Sequence, residues 1–555
     1  MAHGIVAKNF SPNCNALLIL LKECFGRVAV IQPMSISRRH FASAISAAAL
    51  ATSISRRADA QNPTVFRHGV ASGDPLVNRV IIWTRITPPA DEELLAVEWS
   101  IAADPAFNRV LQRGMTYTNS FFDYTVKVDV TRLDPGTTYY YRFNYRGSAS
   151  PIGRTKTLPA GQVDRLRLAF LSCSNYPYGF FNAYRAVASR LDLDAVLHLG
   201  DYIYEYGNTE FGDGTAINRV PSPNKEIVAL EDYRMRHAQY RTDPDLQEVH
   251  RQHPFIIVWD DHESTNNSYR DGAENHQPAT EGDWSVRRAV SIQAWFEWMP
   301  VREQPFQGTE IYRTFRFGNL VDLIMLDTRL SGRDAQVANN SPALADPSRS
   351  LLGVEQEQWL YQQLNVSKSR GTRWRILGQQ VMMGQLLNPD GSNSVFNPDQ
   401  WDGYQASRAR LLGYLGANQV DNVVVLTGDI HSSWGNEISV NPFSPTQNTP
   451  QAVEFVTPAV TSPGIDDAAQ AAQLQTIIGA THPHVKYVDL FRRGYAILDI
   501  NRDRTQCEWY HVRTLTQRSP DQDFARALLV ENGTNRLTAA TQPTAAGSGT
   551  APAAP

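Results

Sequence analysis

The sequence has few cysteines, and their positions limit what they can do. The 555 residues include Cys14, Cys24, Cys173 and Cys507, and the first two precede the signal-peptide cleavage site predicted below. Two remaining cysteines exclude a disulfide-stabilised scaffold. A single Cys173–Cys507 bridge is left open, although Cys173 has a second interpretation as a metal ligand.

The chain also lacks an excess of either charge and a long internal apolar run. It carries 52 Lys and Arg against 56 Asp and Glu, a net charge of −4. This balance provides no excess of positive charge that would indicate binding to nucleic acid or to an anionic membrane surface. After residue 54 no segment reaches the roughly 18 apolar residues that a membrane helix needs. We therefore expect a soluble monomer without a nucleic-acid surface or an integral membrane segment.

An export signal is predicted at the N-terminus, within residues 1–60. Arg38 and Arg39 precede a mildly apolar, alanine-rich run from Phe41 to Ile54, and Ala58 to Ala60 fit the small-residue rule for cleavage. Paired arginines before a weakly hydrophobic run indicate the twin-arginine export machinery and a periplasmic or secreted protein. An ordinary secretory signal is the alternative, and a true start at Met34 is left open.

Residues 61–158 have the pattern of a small all-β domain. The runs Val80–Thr84, Ala96–Ser100 and Tyr124–Val130 alternate between apolar and polar residues with period 2. A turn and an aromatic strand in Leu133–Phe143 are typical of the corner of an immunoglobulin-like or fibronectin-like sandwich. This domain has no convergent polar cluster. We therefore expect it to pack against the rest of the chain or to shape the side from which the substrate enters. A carbohydrate-binding module is the alternative.

Beyond a linker at residues 157–161, apolar runs alternate with polar loops and helical patterns, which predicts an α/β catalytic domain over residues 162–515. Residues 516–555 form a C-terminal segment that turns to Ala, Thr, Pro and Gly near residue 537, so a disordered tail is expected there. The predicted strands are Leu166–Leu171, Ala195–Leu199, Phe255–Trp259, Leu320–Leu326, Trp374–Leu377 and Val423–Thr427, and the predicted helices are Asn182–Arg190 and Glu231–His250.

Metal-ligand residue types follow four of these strands. They are Cys173; Asp201 with Tyr204; Asp261 with His262 and Asn266; and Asp429 with His431. Taken singly, each has a structural alternative: a packed thiol, a turn cap, or a core histidine such as His198. In open α/β sheets, however, ligands gather outside the carboxyl ends of the strands. The joint occurrence at successive strand ends therefore predicts a metal site.

The chemistry of these side chains predicts two different cations. Thiolate, phenolate, carboxylate and imidazole suit a transition metal, and a phenolate favours Fe³⁺ because a hard trivalent ion lowers the tyrosine pKa. The oxygen donors Asp261, Asn266 and Asp429 suit Ca²⁺, Mg²⁺ or Mn²⁺ better than Zn²⁺. Two cations roughly 3.5–4 Å apart hydrolyse phosphate esters, and Asp201 could bridge them. His262 would then protonate the leaving oxygen.

The same motifs resemble those of a known family. Gly200-Asp-Tyr-Ile-Tyr204, Trp259-Asp-Asp-His-Glu263 with Asn266-Asn267, and Gly428-Asp-Ile-His431 are similar to motifs of the PhoD-type alkaline phosphatases. These belong to the calcineurin-like metallophosphatases and are related to purple acid phosphatases. Ser172-Cys173-Ser174 stands at the first motif, and the resemblance covers about residues 62–515. Residues 233–245, Leu326-Asp-Thr-Arg329, the N-terminal β domain and twin-arginine export also match the family pattern.

The resemblance implies a four-layer core of two β-sheets flanked by helices, preceded by the all-β domain. It implies hydrolysis of phosphate mono- and diesters at alkaline pH with Fe³⁺ and Ca²⁺. Which residue of each adjacent pair is the ligand is left open, for Asp260 and Asp261 and for Asn266 and Asn267. The carried-over ligands are Cys173, Asp201, Tyr204 and His431 for iron, and Asp201, Asp261, Asn266 and Asp429 for calcium.

Two other functions remain as alternatives. A phospholipase D of the same family would act on lipid diesters and would need an apolar groove leading to the metals. A surface or adhesion protein with an inactive core is the non-enzymatic alternative.

Overall fold

Two large β-sheets carry the polar residues singled out in the sequence. A computed structural model of the chain describes residues 65–88, 93–303, 310–388, 394–547 and 550–555. The predicted export signal, including Arg38 and Arg39, lies outside these ranges. Within them, no helix combines the length and the apolar character needed to span a membrane.

In the described ranges the strands are β1 (Val70–Leu76), β2 (Arg79–Arg85), β3 (Leu95–Ala102), β4 (Val110–Thr118), β5 (Thr125–Thr131), β6 (Thr138–Tyr145), β7 (Ser148–Ala149), β8 (Gly153–Lys156), β9 (Arg165–Leu171), β10 (Ala195–His198), β11 (Pro254–Ile257), β12 (Arg313–Phe317), β13 (Val321–Met325), β14 (Trp374–Gly378), β15 (Val423–Thr427), β16 (Ser433–Ile438), β17 (Ala452–Val456), β18 (Val485–Asp489), β19 (Gly494–Asn501), β20 (Arg504–Val512), β21 (Gln522–Glu531) and β22 (Leu537–Ala540). The helices are α1 (Asn182–Ala188), α2 (Leu230–Tyr240), α3 (Pro244–Gln252), α4 (Pro278–Glu281), α5 (Trp284–Trp298), α6 (Gly353–Ser369), α7 (Gln405–Ala417) and α8 (Ala468–Thr481).

The larger sheet has ten strands in the order β22-β21-β20-β19-β9-β10-β11-β1-β2-β5. Its centre is parallel: β10 pairs with both β9 and β11, and β11 pairs with β1. The second sheet has seven strands in the order β12-β13-β14-β15-β17-β16-β18, and β13, β14, β15 and β17 are parallel. The predicted strand at Val423–Thr427 is confirmed to the residue, and the others differ by one or two residues at one or both ends.

Alternating side chains explain how the two sheets form layers. Val424 packs in the core that also contains Leu168 and Val196 of the larger sheet, whereas its neighbours Val423 and Val425 pack in a second core against helices α6 and α7. Successive side chains of a strand point to opposite faces, so an apolar run such as Val423–Thr427 is buried on both sides. The four-layer arrangement of two sheets flanked by helices is therefore confirmed.

The N-terminal all-β region shares a sheet with the rest of the chain. Strands β1, β2 and β5 form one end of the ten-stranded sheet, and β3, β4, β6, β7 and β8 form a separate five-stranded sheet. Apolar side chains of the two groups, among them Val80, Val126, Val97 and Phe143, pack together as one core. The all-β region is confirmed. The predicted bounds 61–158 and 162–515 stay a prediction, because the larger sheet crosses them.

The helix predicted over Glu231–His250 is two helices. Helix α2 ends at Tyr240, and α3 begins at Pro244 after a cap in which the Asp243 carboxylate accepts hydrogen bonds from the backbone N–H groups of Asp245 and Leu246. Proline has no N–H to continue the preceding helix, but it fits the first position of a new one. The single-helix prediction was wrong at this proline.

The expected disordered tail is ordered where the structure describes it. Strand β22 pairs with β21, and the backbone N–H of Thr544 donates to Glu508. Further on, Ala554 is buried and exchanges two hydrogen bonds of 3.0 Å with the side chain of Gln252. An Ala- and Pro-rich segment cannot form its own core, but its backbone can hydrogen-bond to an existing surface. Composition alone therefore gave the wrong prediction.

Candidate metal centre

The ends of strands from both sheets bring the predicted ligands into one buried cluster. Cys173 follows β9, Asp201 follows β10, and Asp429 and His431 follow β15. Ligand atoms of Cys173, Asp201 and His431 lie within 4.8 Å of one another. The same holds for Asp201, Asp261 and His262, and for Asp260, Asp261 and Asp429. The three groups overlap at Asp201 and Asp261, so they form one continuous centre.

Four of these residues have an unusual backbone conformation. Cys173, Asp201, Asp429 and His431 have φ values of 63°, 55°, 59° and 56°. This left-handed region is sparsely populated by residues with a Cβ and costs about 1–3 kcal/mol each. Such outliers cluster at functional sites, where the surrounding structure holds them. The strand ends are thus bent so that several side chains face one point.

Gly200 makes the bend at the end of β10 possible. Its φ is +103°, and a Cβ at this position would lie 2.4 Å from both the backbone nitrogen and the Cβ of Asp260. Only glycine fits a positive φ at such close approach. Gly200 therefore sets the distance between the loop that carries Asp201 and the loop that carries Asp260.

Tyr204 returns to Asp201, as its spacing of three residues predicts. Its hydroxyl donates to Asp201 Oδ2 at 2.7 Å and lies 3.1 Å from His431 Nε2. The hydroxyl of Ser462 donates to the hydroxyl oxygen of Tyr204 at 2.6 Å. The Tyr204 oxygen thus lies among the first group of ligands, where a cation would replace the proton that it now donates.

Three buried carboxylate oxygens show that this centre suits a cation. Asp201 Oδ1, Asp260 Oδ2 and Asp261 Oδ1 are buried and have no hydrogen-bond partner among the described residues. A buried carboxylate oxygen without a partner is costly, so such groups are normally paired or coordinate a metal. The residues present therefore fit a metal centre, with mixed sulfur, nitrogen and oxygen donors on one side and oxygen donors on the other.

Burial controls the protonation of the Cys173 and Tyr204 side chains. Burial and the neighbouring Asp201 carboxylate raise the pKa of the Cys173 thiol well above its usual value. The same two causes raise the pKa of the Tyr204 phenol well above its usual value. Cys173 and Cys507 are free buried cysteines, so the Cys173 thiol is not used in a disulfide. A multivalent cation would be needed to ionise them at neutral pH.

His262 is held by a buried carboxylate. Its Nδ1 lies 2.7 Å from Oε2 of Glu205, and its ring stacks 4.2 Å from the ring of Tyr204. Burial acts to lower the pKa of His262, but the charges of Glu205, Asp261 and Asp201 outweigh it and raise the pKa well above its usual value. These charges favour the protonated imidazole, and the contact of Nδ1 with Glu205 fixes the ring so that Nε2 is the nitrogen left to donate a proton.

Asp260 and Asp261 both face the cluster but have different partners. Asp260 is bound by the guanidinium of Arg329, and both side chains are fully buried. Asp261 accepts a hydrogen bond of 2.6 Å from the backbone N–H of Asn267. Burial acts to raise the pKa of Asp261, but Arg329 and His262 outweigh it and lower the pKa. Asp261 is thus held as a carboxylate beside His262.

The two asparagines differ in what their side chains do. The amide of Asn267 donates to Glu274 at 2.5 Å. Asn266 donates its backbone N–H to Glu205 at 2.8 Å, and its amide side chain makes no hydrogen bond to the described residues. No hydrogen bond joins the Asn266 amide to the other predicted ligands. Its free amide makes it the better candidate of the two, and its role stays a prediction.

The sequence interpretation missed three charged residues of this site. Glu205 orients His262, and Glu263 accepts hydrogen bonds from the backbone N–H groups of Asp260, Asp201 and Tyr202 at 2.7, 3.0 and 2.6 Å. Glu263 thus ties the ends of β10 and β11 together. A signal was present, because both glutamates lie within or beside the motifs that carry the ligands.

The third charged residue that the sequence interpretation missed is Arg329, in the loop after β13. Its fully buried guanidinium binds Asp260, Asp399 and Asp429 and lies 3.3 Å from Asp261. Arg333 also binds Asp399, so two guanidinium groups face four acids and net negative charge remains. Burial raises the pKa of Asp429 to about 7, and the carboxylates of Asp399, Asp261 and Asp201 add to the effect. Further positive charge from metal ions would complete the neutralisation.

Comparisons with known proteins agree with this geometry. Residues 168–509 match the family model of the PhoD-like phosphatases, and residues 49–159 match the model of the N-terminal domain of PhoD-like phosphatases. Alkaline phosphatase D of Bacillus subtilis (strain 168) is 37% identical over 446 residues, covering 78% of this chain and 74% of that protein. A solved structure described as the structure of PhoD has a TM-score of 0.79 at 33% identity, covering 87% of this chain and 93% of the other.

Proposed function

The chain belongs to the PhoD-like phosphatase family, and we propose that it is a metal-dependent phosphatase and phosphodiesterase with an iron–calcium centre. The observation that carries the proposal is the overlap of the ligand groups at Asp201, which lies within 4.8 Å of ligand atoms on both sides. One carboxylate shared between two cation sites is the arrangement that in-line attack on a phosphate ester uses.

We assign the donor atoms to the two cations by their chemistry. Cys173, Tyr204 and His431, with Asp201, would hold Fe³⁺, because thiolate and phenolate are strong anionic ligands. Asp261, Asn266 and Asp429, with Asp201, would hold Ca²⁺, and Mn²⁺ or Mg²⁺ are alternatives at this position. When bound, the cations would neutralise charge on the phosphoryl oxygens and lower the pKa of the attacking water.

The residues of the chain contribute a proton donor and a fixed geometry. His262 donates its proton from Nε2 to the leaving alcohol oxygen while Glu205 holds Nδ1. Arg329 keeps the carboxylates of Asp260 and Asp429 in place. Water attacks phosphorus and loses one proton to solvent, the P–O bond to the alcohol breaks, and the alcohol leaves with the proton from His262, which takes up a new proton from solvent.

The proposal is tested on protein exported by its natural host, so that it carries its own metals. Iron and calcium are measured, and phosphate release is followed with a monoester and a simple diester. Asp201→Asn should lose bound metal and at least about 10³-fold in rate on both substrates, whereas the exposed Asp271→Asn should not change either. A calcium chelator should abolish activity, and Ca²⁺ should restore it. Full activity of Asp201→Asn, or full activity without calcium, would refute the assignment.

We further propose export by the twin-arginine machinery to the periplasm or the medium, with phosphate esters as the substrates met there. The support is the Arg38–Arg39 pair before the weakly apolar run. Replacing both arginines by lysine should retain the protein in the cytoplasm on cell fractionation. Undiminished export of this variant would favour the ordinary secretory signal.

A further inference from the structure

An apolar cavity of about 180 Å³ lies directly beside the metal centre. Nine of its thirteen lining residues are Leu, Ile, Phe or Trp. They come from the loops after β14, β15 and β17, from strand β16, from helix α8 and from the segment after β18. Leu386, Trp434, Ile478 and Leu490 of this lining belong to one small hydrophobic core.

His431 belongs to both the cavity and the metal centre. His431 is one of the lining residues of the cavity, while its Nε2 lies 3.1 Å from the Tyr204 hydroxyl and 3.9 Å from Asp201 Oδ2. Its Nδ1 lies 2.6 Å from the carbonyl oxygen of Pro463, so the ring orientation is fixed. A phosphoryl group held at the metal centre would therefore be separated from the apolar cavity by only one side chain, that of His431.

The cavity is open rather than a packing defect in the interior. Phe396 lines it and is 48% exposed, and Leu474 on the other side is only partly buried. An empty apolar cavity is unfavourable, because the side chains that line it lose van der Waals contacts on one side. An apolar group entering from the metal centre would restore these contacts.

We propose that this cavity binds the organic group of the ester, so that preferred substrates carry a short alkyl chain or one aromatic ring on the phosphate. This inference rests on the proposed phosphatase function and adds a substrate class to it. The volume sets the size: a cavity of about 150 Å³ lined by Leu, Ile and Phe accommodates a benzene ring. We therefore expect one ring or a chain of about six carbons, and poor accommodation of the long chains of a membrane lipid.

Straight-chain alkyl phosphates test the proposal, because beyond propyl the leaving alcohols are chemically alike and differ only in length. Each buried methylene contributes about 0.8 kcal/mol, equivalent to about fourfold. We expect kcat/KM to rise about fourfold per carbon from propyl to hexyl phosphate and then to level off. Alkylphosphonates, whose C–P bond is not hydrolysed, should bind to the metal-loaded protein in the same order by calorimetry.

Helix α8 offers a variant and a matched control. Leu474→Trp fills the cavity and should reduce the hexyl phosphate rate to about that of propyl phosphate, so that the rise of about fourfold per carbon disappears. Gln473→Trp adds the same ring at an exposed position of the helix that does not line the cavity, and it should leave the chain-length profile unchanged.

The outcomes separate this inference from the proposed function. If no phosphate ester is hydrolysed but phosphonate affinity rises with chain length, the proposed function fails and the cavity assignment stands. If esters are hydrolysed with a flat profile, or if Leu474→Trp lowers propyl and hexyl phosphate equally, the cavity assignment is overturned. Faster hydrolysis of phosphatidylcholine than of hexyl phosphate would also overturn it, in favour of a lipid substrate.

Discussion

His262 is oriented by one neighbour, Glu205. The carboxylate of Glu205 is fully buried and lies 2.7 Å from His262 Nδ1, so it fixes the ring. The charges of Glu205, Asp261 and Asp201 together raise the pKa of His262, which suits the proposed role of a proton donor.

Replacing His262 should affect substrates according to their leaving group. Loss of a proton donor costs roughly 10²–10⁴-fold when the leaving oxygen needs a proton. His262→Ala should therefore slow an alkyl phosphate by this factor, whereas nitrophenyl phosphate, whose leaving phenolate needs no proton, should change little. Rates on both substrates, with metal content measured in parallel, check this. Equal losses on the two would instead indicate that His262 binds phosphate.

Tyr204 should be responsible for a colour of the protein. A phenolate or thiolate on Fe³⁺ gives a charge-transfer band in the visible, and the Tyr204 oxygen lies 2.7 Å from Asp201 and 3.1 Å from His431. Tyr204→Phe should shift or bleach the band in an absorption spectrum. Cys173→Ser should lose iron, because an alcohol is a poorer anionic ligand than a thiolate.

Tyr202 provides the matched control, because its hydroxyl lies 2.9 Å from His250 and is not among the ligand groups. Tyr202→Phe should leave the spectrum unchanged. A colourless, fully active enzyme that contains only zinc would show that Tyr204 and Cys173 are structural residues.

At the scale of the element, the ends of β10 and β11 act as one unit. Gly200 lets the two loops approach, and Glu263 binds the backbone of both. Burial raises the pKa of Glu263 to about 8, with Asp201 adding to the effect. The buried carboxyl group is tolerated there because it accepts hydrogen bonds from three backbone N–H groups that have no partner in a neighbouring strand.

Gly200→Ala should separate the two loops. A Cβ at 2.4 Å from the Asp260 backbone must displace it, so we expect loss of metal and a destabilisation of several kcal/mol, about 2–4. Gly147→Ala is the control, since Gly147 also has a positive φ of 79° but nothing within 4 Å of the added Cβ. It should cost only about 1 kcal/mol and leave metal content intact. Equal effects of the two variants in unfolding and metal assays would contradict the close-approach argument.

At the scale of the whole molecule, neutral histidines are buried in the core. Burial lowers the pKa of His198, His237 and His253 to about 3 each. A histidine whose folded pKa lies below its unfolded value stabilises the fold above pH 6.5. That contribution is lost as the pH falls from 6.5 towards 3, because the unfolded chain takes up the proton first. We therefore expect steep acid destabilisation between pH 6 and pH 4.

His237→Phe should reduce this pH dependence by one proton. Neither ring nitrogen of His237 has a hydrogen-bond partner among the described residues, and its ring stacks on Trp298. A phenyl ring of similar shape should therefore change stability at pH 8 by less than about 1.5 kcal/mol. Between pH 8 and pH 5 the variant should gain about 2 kcal/mol relative to the wild type, as measured by chemical denaturation. A constant difference at both pH values would mean that His237 does not titrate on unfolding.

The central strands of both sheets and the residues at their ends are readable from the amino-acid sequence. Apolar runs such as Val423–Thr427 predict buried strands because two-sided burial excludes polar side chains. Since neighbouring parallel strands end at one edge, the sequence pattern alone groups Cys173 with Asp201, whereas His431 follows β15 of the other sheet. The spacing of Tyr204 from Asp201 was likewise readable, because a three-residue turn is a local property of the chain.

Only the tertiary structure decided which groups meet across the sheets. Arg329 and Asp260 are 69 residues apart, and the cavity beside His431 is built from separate loops, a strand and a helix. The docking of Ala554 on Gln252 spans 302 residues. Such contacts depend on how layers pack, and packing is set by the summed shape of many side chains. A local sequence pattern predicts whether a segment is a helix or a strand. The elements against which that segment packs follow only from the complete fold.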